Sequence, residues 1–199
     1  MMRTVVLASR SAARGRLLAA AGISFLTDPA DIDERALEAD LGTRGIGPRD
    51  LALALAAEKA RVVAGRHPDA VVIGADQTLD LDGSSLSKPA SLAGAREQLV
   101  RLRGKAHRLH SAVTCMVGLD RAWHHVSSAT LEMRPFSDAF LDDYLASCGT
   151  RTLESVGAYH LEGHGIQLFR AIEGDFFTIL GLPMLPLLEH LRESGVLVP

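Results

Sequence analysis

Residues 70–76 read Ala70-Val71-Val72-Ile73-Gly74-Ala75-Asp76. An uninterrupted apolar run this short, rich in Val and Ile, predicts a β-strand covered on both faces rather than a helix. The run ends abruptly at Asp76. Open α/β sheets place ligands outside the carboxyl ends of their strands, so that position marks Asp76 as a candidate functional residue. The plainer reading is a capping or turn aspartate.

Upstream, Pro48 opens a helix over Arg49–Ala64, closed by Gly65 and the His67-Pro68 step. Its Leu-Ala alternation over residues 51–55 could suggest a strand, but the alanine content argues for helix. At about 100° per residue, Lys59 falls at about 80° from Leu51, between Leu55 at about 40° and Val63 at about 120°. A lysine on the apolar stripe is either snorkelling to water or reaching into a cleft toward an anion. Earlier still, Arg3–Ala8 predicts a strand, Ser11–Ala21 a helix stopped by Gly22, Ile23–Thr27 a second strand, and Asp28–Gly47 a polar loop.

Downstream, Leu79–Leu81, Asp82-Gly83 and Ser84–Leu86 predict a hairpin, because Asp-Gly supplies the positive φ values of a tight turn. Ser91 caps a helix to Arg103. Ala106–Leu119 and Ala122–Met133 form an antiparallel ribbon joined at Asp120-Arg121, and a helix over Ser137–Ser147 stops at Gly149. A Gly-rich stretch, a strand near Ile166–Ile172, a turn at Gly181-Leu182-Pro183 and a last helix to Glu193 complete an α/β order with no repeat and no low-complexity linker.

The composition bounds the partners. The 199 residues are 47% hydrophobic and 23% charged, enough apolar surface for a packed core and far from the signature of disorder. Against a prior of about 150 residues per domain, residues 1–199 read as one domain, divisible into two lobes. Lys plus Arg number 21 against 24 Asp plus Glu, a net charge of −3 that argues against a polymeric nucleic-acid partner. The longest apolar run, Leu51–Ala57, falls well short of a bilayer span, so no membrane partner is expected. Arg10 and Arg14 interrupt the N-terminal apolar run too early for a signal peptide. Cys115 and Cys148, outside any CxxC or Cys/His cluster, indicate neither a disulfide framework nor a zinc site, and fit a reducing cytoplasm.

Further residues fit the chemistry of Asp76. Lys88 follows the hairpin. Arg14 lies in the first turns of the first helix, where free N–H groups and the helix dipole suit phosphate, and Ser9 and Ser11 can add hydroxyl donors. With the carboxylates Asp31, Asp33 and Glu34, the set suggests phosphate plus metal, although each residue alone reads as solvated surface. Two alternatives weigh less. Asp80-Leu81-Asp82-Gly83-Ser84 resembles the DxDG(T/S) nucleophile loop of haloacid-dehalogenase-type phosphatases, but the buried run ends four residues early and Asp82-Gly83 suits a hairpin turn. His107 and His110 are spaced as HxxH, yet in a strand they point to opposite faces, and His124 and His125 fail similarly as a shared metal site.

Taken in order, the segments resemble the Maf family of nucleoside triphosphate pyrophosphatases over nearly the whole chain. The family's opening LASxSPRRxxLL is similar to Leu7-Ala8-Ser9-Arg10-Ser11-Ala12-Ala13-Arg14-Gly15-Arg16-Leu17-Leu18, and its D-E to Asp33-Glu34. Its A-x-x-K-A matches Ala56–Ala60, its GAD Gly74–Asp76, and its GKP Ser87-Lys88-Pro89. The C-terminal signature is Gly157-Ala158-Tyr159 through Glu162-Gly163, then Ile172-Glu173-Gly174-Asp175 and Gly181-Leu182-Pro183.

The resemblance implies a Maf/ITPase-like three-layer α/β/α fold with a central mixed, twisted sheet and a deep cleft, which the strand–helix alternation allows. It implies hydrolysis of the α–β phosphoanhydride to nucleoside monophosphate and pyrophosphate with Mg²⁺ or Mn²⁺. Asp76 would be the general base, Glu34 and Asp76 the metal ligands, and Lys59 and Lys88, with Arg14 and Ser9, the groups that hold the phosphates. Ala13, Gln77 and Glu162 stand at positions resembling the family's base-selectivity positions. Gln77 and Glu162, where many members carry threonine and glutamine, look like the branch acting on 7-methyl-GTP, a housecleaning role, rather than the branch preferring dTTP and UTP. Ser87 replaces the GKP glycine. A homodimer follows by family analogy, and the family's association with septum formation supplies the alternative of a nucleotide-binding regulator with little catalysis.

Overall fold

The computed structural model describes residues 3–119 and 121–198. Its elements are β1 (Val5–Leu7), α1 (Ala12–Ala20), β2 (Leu26–Thr27), α2 (Glu34–Thr43), α3 (Pro48–Ala64), β3 (Val71–Leu81), β4 (Ser84–Leu86) and α4 (Leu92–Leu102). There follow β5 (Ala106–Val117), β6 (Arg121–Met133), α5 (Asp138–Cys148), β7 (Phe169–Glu173), α6 (Phe176–Ile179) and α7 (Met184–Glu193). Two 3-10 segments, Gly149–Glu154 and His164–Leu168, lie between α5 and β7. The mixed sheet runs β2-β1-β3-β5-β6-β7 with β4 on β3. The first three are parallel and the rest antiparallel, so the α/β expectation is met.

Strand alternation sorts the layers. Even-numbered residues of β3 and β5 face α3, where Val72 and Met116 pack on Ala60, Val63 and Ala64, and Ala112 packs on Ala52 and Ala56. The alanines let α3 come very close: a Cβ on Gly74 would lie 2.2 Å from the Ala56 carbonyl oxygen and 2.6 Å from the Ala60 nitrogen. Odd-numbered residues face the other helices in two separate apolar clusters. Ile73, Ala75, Val113 and Cys115 pack with Leu18 of α1 and Leu187 and Leu191 of α7. Leu79, Leu81, Leu109 and Leu131 pack with Leu99 and Leu102 of α4 and Leu141 and Tyr144 of α5. Between the clusters runs one polar row across three strands, Gln77, Ser111 and Ser127.

Several expectations are corrected. The polar stretch Asp28–Gly47 contains α2, which has no fully buried residue and only Leu37 and Leu41, one turn apart, as an apolar repeat. The second strand is only Leu26–Thr27, and the strand expected near Ile166–Ile172 begins at Phe169 because Ile166–Leu168 are in 3-10 conformation. β3 does not end at Asp76 but continues to Leu81. Its pairing with β1 covers only Val71–Ile73, and β4 rejoins the same edge only at Leu79, so Asp76 falls in the gap between them. The hairpin is as expected, with Asp82 at φ 54° and Gly83 at φ 83°. Asp120, in the joint between β5 and β6, lies outside the described residues.

Candidate active site

The gap between β1 and β4 leaves one edge of β3, Gly74–Thr78, without a neighbouring strand. Side chains alternate there, so Asp76 points to the α3 side and Gln77 to the other. Lys59 and Asp76 are both buried, 7% and 8% exposed, which removes the snorkelling reading of Lys59. Lys59 Nζ lies 2.5 Å from Asp76 Oδ1 and 3.0 Å from Glu34 Oε1. Glu34 reaches this point because Asp33 caps α2, accepting from the Ala36 N–H at 3.0 Å, and so starts the helix at Glu34.

Arg14 enters from α1, whose N-cap is Ser11. It is buried: Nε donates to Gly181 O at 2.8 Å, and Nη1 donates to Ala75 O at 2.9 Å and Ser9 Oγ at 3.1 Å. Arg14 thus fills the edge of β3 that β1 vacates and ties it to the Gly181 loop, with Nη2 left over among the described contacts. Burial pushes its pKa below the ordinary value, opposed by the charges of Asp76 and Glu34. It remains a cation. Ser9 Oγ accepts from Arg14 and, at 3.2 Å, from the Ser11 N–H, which leaves its own proton to donate.

Lys88 is exposed on the continuation of β4, which runs antiparallel to β3 back along the open edge. Ala13 shares a face of α1 with Arg16, three residues on, and Arg16 Nη2 lies 3.5 Å from Glu162 Oε1. Asp31 is exposed with no recorded ion pair among the described residues. The structure therefore gathers Asp76, Lys59 and Glu34 directly, sets Ser9, Arg14 and Gln77 along the same edge, and brings the Glu162 loop against α1.

Both alternative motifs serve the fold. Asp80 Oδ1 accepts from the Gly83 N–H at 2.7 Å, and Oδ2 lies 3.3 Å from His110 Nε2. His107 is buried on the opposite face, its Nε2 2.7 Å from the Tyr159 hydroxyl, and burial lowers its pKa to about 4. Two neighbours of the site were missed from sequence. Glu38 lies one turn beyond Glu34 on α2, a spacing that could have revealed it; burial chiefly, then the charges of Asp76 and Glu34, raises its pKa. Ser111, fully buried beside Gln77, carried no local signal.

For a divalent cation, Glu34 and Asp76 already converge on one positive centre, the Lys59 ammonium. Among the described residues no three His, Cys, Asp or Glu side chains group as a metal cage. A pair of carboxylates nevertheless fits Mg²⁺, which binds through one or two carboxylates with substrate phosphates and waters.

The chain resembles known proteins over almost all of its length. It is 53% identical over 194 residues to a nucleoside triphosphate pyrophosphatase of Paramagnetospirillum magneticum, covering 98% of this chain and 100% of that one. It is 51% identical over 197 residues to a 7-methyl-GTP pyrophosphatase of Rhizobium meliloti, covering 99% of each. A far weaker likeness, at 12% identity and a TM-score of 0.45, is to a solved dITP/XTP pyrophosphatase of Mycobacterium abscessus, over 96% of this chain and 94% of that one. The family model for Maf-like protein matches residues 4–194, and the chain belongs to the Maf family.

Proposed function

We propose that this protein is a nucleoside triphosphate pyrophosphatase, cleaving the α–β phosphoanhydride to nucleoside monophosphate and pyrophosphate. The observation that carries the reading is the buried Lys59 ammonium held between Asp76 and Glu34 at the open edge of β3. A buried ion pair is weak evidence for stability, and perturbed charged clusters gather at functional sites, so this one is read as functional.

In this reading Asp76 accepts the proton of the attacking water as general base. Lys59 positions that carboxylate and offsets negative charge developing on the phosphates, with Lys88 adding a second cation from the far side of the gap. Ser9 donates its free proton to a phosphate oxygen, and Arg14 holds Ser9 and the β3 edge in place while Nη2 faces the ligand. Glu34 and Asp76 would hold Mg²⁺ or Mn²⁺, which supplies Lewis-acid polarisation of the phosphate oxygens. Ala13, Gln77 and Glu162 surround the base, with 7-methyl-GTP the favoured substrate. No helix among the described residues is long and apolar enough to cross a membrane.

The test incubates the protein with Mg²⁺ or Mn²⁺ and a nucleotide panel including 7-methyl-GTP, dTTP and UTP, and separates products by anion exchange. Monophosphate plus pyrophosphate, lost by about 10²–10⁴-fold in Asp76→Asn, is the expected result. Diphosphate plus phosphate overturns the mechanism. Tight binding without turnover moves the regulator reading to the front.

A further inference from the structure

Helix α2 has no core of its own. None of its residues belongs to any of the apolar clusters, although the loop before it enters one through Ala30. A helix of ten residues is marginal without tertiary packing, and the internal supports of this one are the Asp33 cap and the Arg44–Asp40 ion pair. Among the described residues its one ion pair to the rest of the protein is Glu34 with Lys59, at 3.0 Å. An element with so little apolar packing opens at low local cost.

The two ends of the segment are built differently. Before α2, Asp28 accepts from Arg66 Nη2 at 2.8 Å and Nε at 3.0 Å and lies 2.7 Å from His67 Nε2, which pins the chain to the residues that follow α3. At its other end stand Gly42, Gly45 and Gly47, and a Cβ on any of them would meet nothing within 4 Å. Only Gly45, at φ 74°, has a backbone that favours glycine. Neither packing nor conformation requires glycine at 42 and 47, so what these residues supply is backbone freedom. One pinned end and one free end make a hinge.

We propose that α2 is a lid over the open edge of β3, hinged at Gly42–Gly47 and pinned at Asp28, that closes on a nucleotide only with a divalent cation between its carboxylates and the phosphates. Glu34 and Glu38, one turn apart, share a face of α2, and Glu38 is half-buried there, close enough to Asp76 and Lys59 to feel both charges. Lys59 is already shared between Glu34 and Asp76, which leaves Glu38 without a bonded cation among the described residues. A bare triphosphate therefore repels this face, and a cation between them reverses the sign. The metal–nucleotide complex thus binds the closed state better than the open one, which is the difference that drives closure. Glu38 acts as the gate. The proposal rests on the pyrophosphatase reading and goes beyond it in naming the element that moves and what licenses the movement.

Hydrogen exchange read by mass spectrometry on the full chain tests this, with Mg²⁺, with the α,β-methylene analogues of GTP, UTP and 7-methyl-GTP, and with both. Without ligand, the amides of residues 35–44 should exchange about tenfold or more faster than those of residues 52–64 in α3. Mg²⁺ and an analogue together should slow them by about fivefold or more, and either alone by less than about twofold. In Glu38→Gln the Mg²⁺ concentration that gives half of this protection should fall by about threefold or more, because one repelling charge is gone. A rise, as for a lost metal ligand, or no change overturns the gate. The lid itself is overturned if α2 is as protected as α3 before ligand is added, if it stays unprotected while residues 74–78 gain protection, or if an analogue protects it equally without Mg²⁺. Analogues that protect no segment at all, with or without Mg²⁺, would instead sink the underlying reading, so the two failures are distinguishable.

Discussion

Gly74 of β3 lies so close to Ala56 of α3 that a Cβ would stand 2.2 Å from the Ala56 carbonyl oxygen, and the obstacle is backbone. The glycine sits two residues before Asp76, and Ala56 three before Lys59, so this contact sets the depth at which the lysine meets the aspartate. Gly74→Ala should push α3 off the sheet, costing about 1–3 kcal/mol as overpacking does, and separate Lys59 from Asp76. Urea denaturation should show the lower stability and a product assay a larger loss of turnover than the stability change explains. An unimpaired variant would refute the coupling.

Lys59→Met leaves Asp76 and Glu34 facing each other without their cation. Removing one member of a buried ion pair typically costs about 3–5 kcal/mol, and the half-exposed Glu34 places this case near the lower end. Turnover should fall by about 10²-fold or more, with the loss in kcat. Equal stability and activity would leave Lys59 a buried lysine with no part in turnover.

Gly181 has φ 95°, and its carbonyl accepts from Arg14 Nε. Gly181→Ala meets no close atom, yet an L side chain is strained there, so the expected cost is about 1–2 kcal/mol. Because the loop anchors Arg14, KM for nucleotide should rise as well. A midpoint of unfolding unchanged from wild type would contradict the argument.

The native state holds His107 neutral, with a pKa lowered from 6.5 to about 4 by burial. Above pH 6.5 neither folded nor unfolded chain protonates it; below, the unfolded chain binds a proton that the native chain refuses until about pH 4. Stability is therefore complete above that window and lost as pH falls through it, by about 3 kcal/mol from this one residue. Burial lowers His125 and His190 in the same direction. Denaturation midpoints at pH 7.5 and 4.5 should differ less in His107→Phe than in wild type; parallel profiles would remove His107 as a cause.

Asp80→Asn should leave pyrophosphate as the product and turnover within about threefold of wild type, against the 10²–10⁴-fold loss that follows removal of a general acid or base. The variant loses part of the turn anchor at Gly83 and the contact with His110, so a small drop in stability is expected. Inorganic phosphate as product, abolished by this change, would revive the phosphatase reading.

Much of the candidate site was legible along the chain. Lys59 stood out because a charge on an apolar helical stripe breaks the 3.6-residue pattern, and Asp76 because it closes an apolar run. Helix α2 was not legible, since Leu37 and Leu41, one turn apart and neither fully buried, make too short an apolar repeat to stand out among charged neighbours. Nor was the true course of β3: after Asp76 its polar residues on the α3 face are satisfied by Lys59, by Pro48 O at 2.8 Å from Thr78 Oγ1, and by His110. The strand could therefore continue where composition suggested an end.

By itself the sequence determined the α/β order, the hairpin at Asp82-Gly83, the burial of the Val71–Ala75 run and the residue types of the candidate site, because periodicity and turn chemistry are local. Only the tertiary structure decided which edge of β3 stays open and which Arg14 nitrogens are bonded within the protein. It also set the Gln77 amide nitrogen on the Thr178 and Ile179 carbonyls. Those outcomes depend on partners such as Ser111 and Thr178, 34 and 101 residues from Gln77, and a hydrogen bond between distant residues leaves no spacing in the chain from which to read it.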